Sequence, residues 1–252
     1  MSQPQNSLKI LLIGDSCYDY YHYGNVSRIS PEAPIPIFDL TNIVKKYGMA
    51  SNVYDNLKAL GAKVHLVTTF SENKRRYIHQ KSGQQLLRVD EKISSEKYED
   101  VLAPSFSDYD AIVISDYDKG FVSYDTIISI RNEFDGPIFL DTKKRRLGSF
   151  NNIFIKINQH EYENSENLPA GIDSLIVTHG SDKVVWGCKE FYPPRVSAHD
   201  VCGAGDTFLA SLAFEYLRKN SMEQAIRFAI KASAITVQKI GVYAPSLTEI
   251  EK

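Results

Sequence analysis

The sequence predicts an α/β protein: a central, mostly parallel sheet flanked by helices, with a small β flap beside it. Two observations carry this. From Asp110 onward, the short apolar runs Ala111–Ser115 (AIVIS), Pro137–Leu140, Ile153–Ile157 and Ser174–Thr178 (SLIVT) alternate with helical or loop segments. Such alternation implies βαβ units whose strands are covered on both faces. Near the start, Ser30–Leu40 (SPEAPIPIFDL) carries three prolines among alternating residues. They exclude a helix or a central strand and fit edge strands or an extended flap.

In chain order, a polar tail precedes Leu8–Gly14 (LKILLIG), an apolar run that reads as a buried strand with polar residues at its carboxyl end. Tyr47–Ala62 has helical spacing and a stop at Gly61, and Val64–Thr69 reads as the next strand. The polar stretch Ser71–Lys92 holds alternating segments, including Gln84–Val89, that with the proline-rich part form a small accessory sheet in this reading. Two helical patterns close the chain, Gly205–Arg218 and Met222–Lys239. With no linker between independent units, the expectation is one domain over 1–252, with flap (lid) segments near 16–46 and 71–92. In such sheets ligands sit beyond the carboxyl ends of the strands, so chemistry is sought in the residues just after each strand.

The 252 residues, 43% hydrophobic and 24% charged, suffice for a full core, and the net charge of −2 offers no field to attract nucleic acid or anionic lipid. No apolar run approaches the roughly 18 residues of a membrane span. The opening MSQPQNSLKI lacks the pattern of a secretion signal. Cys17, Cys188 and Cys202 are few and far apart. A cytoplasmic protein with reduced thiols and a small-molecule ligand is expected, with neither nucleic acid nor membrane as partner.

The strongest motif is Asp200-Val201-Cys202-Gly203-Ala204-Gly205-Asp206-Thr207-Phe208, opening a helix. Two glycines let backbone approach a ligand, and helix-start amides receive an anion. An aspartate there suits proton abstraction from an attacking alcohol; the alternative is a glycine turn with Asp206 as a helix cap. Asn158 and Glu161, after an apolar strand, suit either a Mg²⁺ site beside phosphates or a capping box. Thr178-His179-Gly180-Ser181 is a turn at a strand end, and Lys143-Lys144-Arg145-Arg146 reads as a solvated loop. His199, Cys202 and Asp206 lie too close in sequence for a thiol-hydrolase triad, whose members converge from distant segments. Tyr18, Tyr20, Tyr21 and Tyr23 fit flap packing or sugar stacking.

Gly203-Ala204-Gly205-Asp206 resembles the GAGD signature of the PfkB/ribokinase-like sugar kinases, with Val201-Cys202 where Thr-Thr or Val-Thr is usual. Gly14-Asp15 through Asp19, Ser27–Pro36 (SRISPEAPIP), Gln84–Asp90 (QQLLRVD), Ser115–Gly120 (SDYDKG), and Asp141 with Lys143 resemble the heptose-7-phosphate kinase branch, the kinase half of the bifunctional ADP-heptose synthesis enzyme. The resemblance covers nearly the whole chain and implies a ribokinase-like fold. It implies Asp206 as catalytic base, with the Gly203, Ala204 and Gly205 amides as an anion hole. Asp15, Asp19, Asn52 and Lys119 would face the sugar. Asn158, Lys143, Thr178, Gly180 and Gly205 would face ATP, with Glu161 and Asn158 toward Mg²⁺ and Asp200 toward a monovalent cation. Met49 stands where the family has a glycine before Asn52, and the connection 70–83 is short for the branch. A homodimer through the flap is also implied, with Ile35, Ile37 and Phe38 on its sticky face.

The expected function is transfer of the γ-phosphate of ATP to a sugar-phosphate hydroxyl, heptose 7-phosphate to heptose 1,7-bisphosphate. The alternatives are a kinase for another sugar or a nucleoside, and a shortened, inactive kinase-like protein that binds sugar or nucleotide.

Overall fold

The computed structural model describes residues 7–94, 96–100 and 105–252; residues 1–6 of the polar tail lie outside them. The strands are β1 Lys9–Ile29, β2 Pro36–Met49, β3 Lys63–His79, β4 Gln85–Lys92, β5 Ala111–Asp116, β6 Ile138–Thr142, β7 Phe154–Asn158, β8 Leu175–Thr178, β9 Val184–Trp186 and β10 Lys189–Phe191. The helices are α1 Ala50–Ala59, α2 Tyr124–Glu133, α3 Gln159–Glu163, α4 Ala204–Lys219, α5 Met222–Thr236 and α6 Leu247–Glu251. One sheet runs β10-β9-β8-β7-β6-β5-β1-β3-β4, with β2 added to β1. Its centre, β3-β1-β5-β6-β7-β8, is parallel throughout, so the expected α/β architecture is present.

Alternate residues of β1 feed two cores. Ile10 and Leu12 pack with Val53 and Leu57 of α1 and with α4 and α5 on one face, whereas Leu11 and Ile13 pack with Ile127 and Ile130 of α2 on the other. All eight are fully or almost fully buried. Each such side chain contributes about 1.5–3 kcal/mol by leaving water, so the sheet's centre is pinned from both sides.

Two strands run well past the ends that their apolar runs predict. β1 continues beyond Gly14 to Ile29, and β3 continues beyond Thr69 to His79. The short connection 70–83 is therefore mostly strand, closed by a turn at Gly83 with φ 70°. Beyond Ser16 both faces of these strands carry polar or aromatic side chains, so no apolar period marks them. In the outer part β2 pairs antiparallel with β1 and β4 antiparallel with β3, giving a flap in the order β2-β1-β3-β4. Tyr47–Met49, expected to begin a helix, end β2 instead.

The sheet forks at Asp15. β5 pairs with β1 as far as Gly14↔Ser115, and β2 takes over that edge from Ser16↔Met49. A Cβ on Gly14 would lie 2.1 Å from the Ser115 carbonyl oxygen, so only glycine lets the strands approach before they diverge. Asp15 is fully buried in the fork. Its Oδ2 accepts from the Tyr117 amide at 2.9 Å and the Lys119 amide at 3.4 Å, while Oδ1 is enclosed without a hydrogen-bond partner. The structure thus sets Asp15, expected at the sugar, beneath the site as an anchor for the chain leaving β5.

Burial, then the neighbouring Asp116 carboxyl, pushes Asp15 up to about 6 from an ordinary 3.8. A raised carboxyl binds its proton more tightly in the folded state, so its contribution is present at low pH and is lost as pH rises from about 4 through 6. Asp15→Asn removes this titration. Denaturant unfolding at pH 4.5, 5.5 and 7 should show the variant gaining on the unmodified protein by up to roughly 3 kcal/mol as pH rises; a pH-independent difference would refute the assignment.

Candidate functional site

The site lies at the carboxyl ends of β1, β5, β6, β7 and β8, facing the start of α4. Gly203 opens α4 in the left-handed region at φ 77°, and a Cβ there would stand 2.6 Å from Asn52 Nδ2. No other residue fits without moving Asn52. Asp206 in the first turn is 5% exposed. Its Oδ2 accepts from Asn52 Nδ2 at 2.9 Å and its Oδ1 from the Tyr117 hydroxyl at 2.8 Å. Asn56 Nδ2 donates to the Asn52 backbone oxygen at 2.8 Å and to Oδ1 at 3.3 Å, which turns the Asn52 amide group toward Asp206. Burial pushes the Asp206 carboxyl up from its ordinary range, against the pull of these two donors. A buried, hydrogen-bonded carboxylate with a raised proton affinity has the character of a general base.

Asp206 does not cap α4, since the Gly203 N-cap has no side-chain partner. Beside the helix start, Lys156 Nζ donates to Asp141 Oδ2 at 2.7 Å, with side chains 5% and 9% exposed. A Cβ on Gly205 would stand 3.1 Å from that ammonium. A buried cation therefore lies against the glycine loop. Sequence reading passed over Lys156 and Tyr117. The signals were a lysine interrupting the apolar strand FIKIN and a tyrosine directly after the end of β5.

Asn158 and Glu161 form a complete capping box on α3: the Glu161 amide donates to Asn158 Oδ1 at 2.9 Å and the Asn158 amide to Glu161 Oε2 at 2.8 Å. Lys143 Nζ pairs with Glu161 Oε1. Lys143 also lies 5.2 Å from the Tyr117 ring centre, so the capping box adjoins the surroundings of Asp206. Thr178 pairs in register with Asn158, and Gly180 follows in a turn at φ 57° with open space around it. A line of contacts therefore runs from Thr178 through Asn158, Glu161, Lys143 and Tyr117 to Asp206, Asn52 and Gly203. Among the described residues no three His, Cys, Asp or Glu side chains cluster as a metal site.

Several expected residues serve internal roles. Asp200 accepts from the Cys202 and Gly241 amides, each at 2.9 Å, and so ties two loops together. Asp19 takes a two-pronged contact from Arg76, Nε to Oδ1 at 2.8 Å and Nη2 to Oδ2 at 3.1 Å. Lys119 and Lys74 flank the Glu72 carboxylate at 2.9 and 3.0 Å. Lys144, read as part of a solvated loop, is instead 4% exposed at its side chain and pairs with Asp116 and Asp118. Burial pushes the Cys202 thiol up, the reverse of a reactive thiolate. Met49 sits buried at φ 63°, a strained position for any side chain.

Residues 156–249 match the profile of the pfkB family carbohydrate kinases. The chain is similar to the bifunctional protein HldE of a Nitratiruptor species, 29% identical over 299 aligned residues that cover 97% of this chain and 64% of the relative. This chain thus spans less than two thirds of that relative's length. Its fold is similar to that of Escherichia coli phosphofructokinase-2 solved with potassium, with a TM-score of 0.70, 16% identity and 97% of each chain covered. It is also similar to that of Arabidopsis thaliana ribokinase solved with ribose and ATP, at a TM-score of 0.68, 14% identity and coverage of 97% and 98%. The GAGD loop at the start of α4 lies within the matched residues 156–249, and the sheet around it has a fold similar to that of these kinases.

Proposed function

We propose that this protein transfers the γ-phosphate of ATP to a hydroxyl of a sugar phosphate, with heptose 7-phosphate and its anomeric hydroxyl as the acceptor. The carrying observation is the buried Asp206 carboxylate at the amino terminus of α4, held by Asn52 and Tyr117. The SRISPEAPIP and SDYDKG runs, and the similarity to bifunctional HldE proteins, support heptose as the sugar.

In this reading the acceptor oxygen attacks the γ-phosphorus, its proton passes to Asp206, and the bond from phosphorus to the β,γ-bridging oxygen breaks to release ADP. The amides of Gly203, Ala204 and Gly205, with Lys156 and Lys143 nearby, stabilise charge on the transferred group. Glu161 and Asn158, whose oxygens are engaged by the capping box and Lys143, would supply the hard oxygen atoms that suit Mg²⁺. When bound with the nucleotide, Mg²⁺ neutralises phosphate charge. Thr178 and Gly180 would lie against the nucleotide, and Asn52 and Lys119 toward the sugar. A monovalent cation near Asp200 is supported only by the potassium in the phosphofructokinase-2 structure.

The flap has unlike faces. In register, Asp19, Lys46, Lys74 and Arg76 share one face, and Tyr18, Tyr20, Lys45, Ile43, Tyr77, Leu87 and Val89 share the other. Ile43, Leu87 and Val89 are 48%, 55% and 40% exposed, and an aromatic and aliphatic sheet face of this kind favours a partner. A twofold dimer through these faces is part of the proposal. Phe38, expected on the sticky face, already packs edge-on against Tyr77 of its own chain, so Ile43 and Leu87 are the better probes.

ADP release against a panel of sugars and sugar phosphates should be greatest with heptose 7-phosphate, and Asp206→Asn should lower kcat at least about 100-fold with little change in ATP affinity; near-normal turnover by the variant would end the base assignment. Glu161→Gln should raise the Mg²⁺ concentration for half-maximal rate several-fold, whereas a cap alone would change only stability. Ile43→Asp with Leu87→Ser should convert a sedimenting dimer to a monomer, and a monomeric unmodified protein at micromolar concentration would refute the assembly.

A further inference from the structure

The two oxygens of Asp206 are held by different kinds of group. Oδ2 is held by Asn52, on α1 and expected to turn toward a sugar hydroxyl. Oδ1 is held by Tyr117, whose backbone is fixed from below: its amide donates to Asp15 Oδ2 at 2.9 Å inside the sheet fork. Its ring is flanked by Lys143 Nζ at 5.2 Å and Lys74 Nζ at 5.7 Å from the ring centre. Burial, then the Asp206 charge, pushes the Tyr117 phenol well above its ordinary range, so the hydroxyl stays a donor at every physiological pH. A permanent donor to a buried carboxylate favours the ionised form and fixes its rotation.

We propose that Tyr117 is a positioning residue for phosphoryl transfer: it anchors Oδ1 of Asp206 and keeps the carboxylate ionised, leaving Oδ2, beside the Asn52 amide, as the oxygen that takes the acceptor proton. The proposal rests on the kinase reading with Asp206 as base. The step is balanced: the acceptor O–H bond breaks as its oxygen bonds to phosphorus, the proton ends on Oδ2, and ADP leaves with the electrons of the broken phosphorus–oxygen bond. Each carboxylate oxygen has two lone pairs, so Oδ2 can take the proton beside its Asn52 hydrogen bond while the phenol holds Oδ1. The fork at Asp15 thereby reaches the chemistry through one residue: the carboxyl below holds the Tyr117 backbone, and the Tyr117 hydroxyl holds the carboxyl above.

Other charged and titratable groups bear on Asp206. Asp141 from β6 raises its proton affinity and Lys156 from β7 lowers it. Lys143 beyond β6 and Cys17 on β1 interact with it electrostatically. A test must therefore change the phenol alone. Tyr117→Phe keeps the ring and its flanking cations and removes only the donor.

In protein labelled with ¹³C at the aspartate carboxyls, the resonance lost in Asp206→Asn identifies this group. In Tyr117→Phe its titration midpoint should rise, the acidic limb of kcat/KM should move to higher pH by the same amount, and kcat should fall about 10-fold or more with KM for ATP within about twofold. Incorporation of 3-fluorotyrosine at 117 preserves the fold and strengthens the donor, so the midpoint should move down. An unmoved carboxyl midpoint in either protein, or an unmoved acidic limb in Tyr117→Phe, overturns the role. Lack of turnover by the unmodified protein with every acceptor would count against the kinase reading instead, because the titration reads the carboxyl without catalysis.

Discussion

The fork in the sheet at Gly14–Ser16 is the constraint on which the rest of the molecule depends. On one side of it β1 is a central strand between β3 and β5, with buried aliphatic side chains on both faces. On the other side the same strand, with β3 still beside it, becomes the middle of a flap whose edges are β2 and β4. A sheet can exchange one neighbour for another only where the departing strand turns away. The side-chain-free approach at Gly14 allows this, and the Asp15 carboxyl gives the amides of the departing chain a partner. A hydroxyl cluster stiffens the corner: Thr68 Oγ1 donates to the Gly14 carbonyl and meets Ser16 Oγ, each at 2.7 Å, and Ser16 Oγ meets Ser51 Oγ at 2.8 Å.

β1 and β3 stay paired through the fork, with one extra residue, Ser71, where Ser16↔Phe70 gives way to Cys17↔Glu72. Lys46 Nζ donates to the Val242 carbonyl at 3.3 Å, and a Cβ on Gly241 would stand 3.3 Å from the Tyr21 hydroxyl. The flap therefore touches the loop that Asp200 ties to the start of α4.

The strand ends hold many ionisable groups out of water, and most are matched. Lys156 with Asp141, Lys144 with Asp116 and Arg76 with Asp19 are close pairs with side chains at most 10% exposed. Removing one member of such a pair strands a charge, at a cost of about 3–5 kcal/mol. Asp206 differs: its partners are the neutral donors Asn52 and Tyr117, which hold the carboxylate without neutralising it. Neutral donors leave a carboxylate more of its proton affinity than an ammonium or guanidinium would, as the proposed role of Asp206 requires.

The sequence by itself determined the parallel core, because β5 to β8 are short apolar runs whose burial on both faces leaves a continuous hydrophobic signal, and it located the glycine loop at the start of a helix. It also located Asp206, Asn158 and Glu161 after the correct elements. The length of β1 and β3 was decided only by tertiary structure: beyond Ser16 the buried positions include Asp19, Tyr21 and Arg76, so no apolar period records their burial. Only the fold could show that Asp15 is enclosed, that Arg76 occupies Asp19, or that Tyr117 reaches both Asp15 and Asp206. Those contacts join residues 57 to 102 positions apart, and nothing local in a chain records which distant group will neutralise a buried charge.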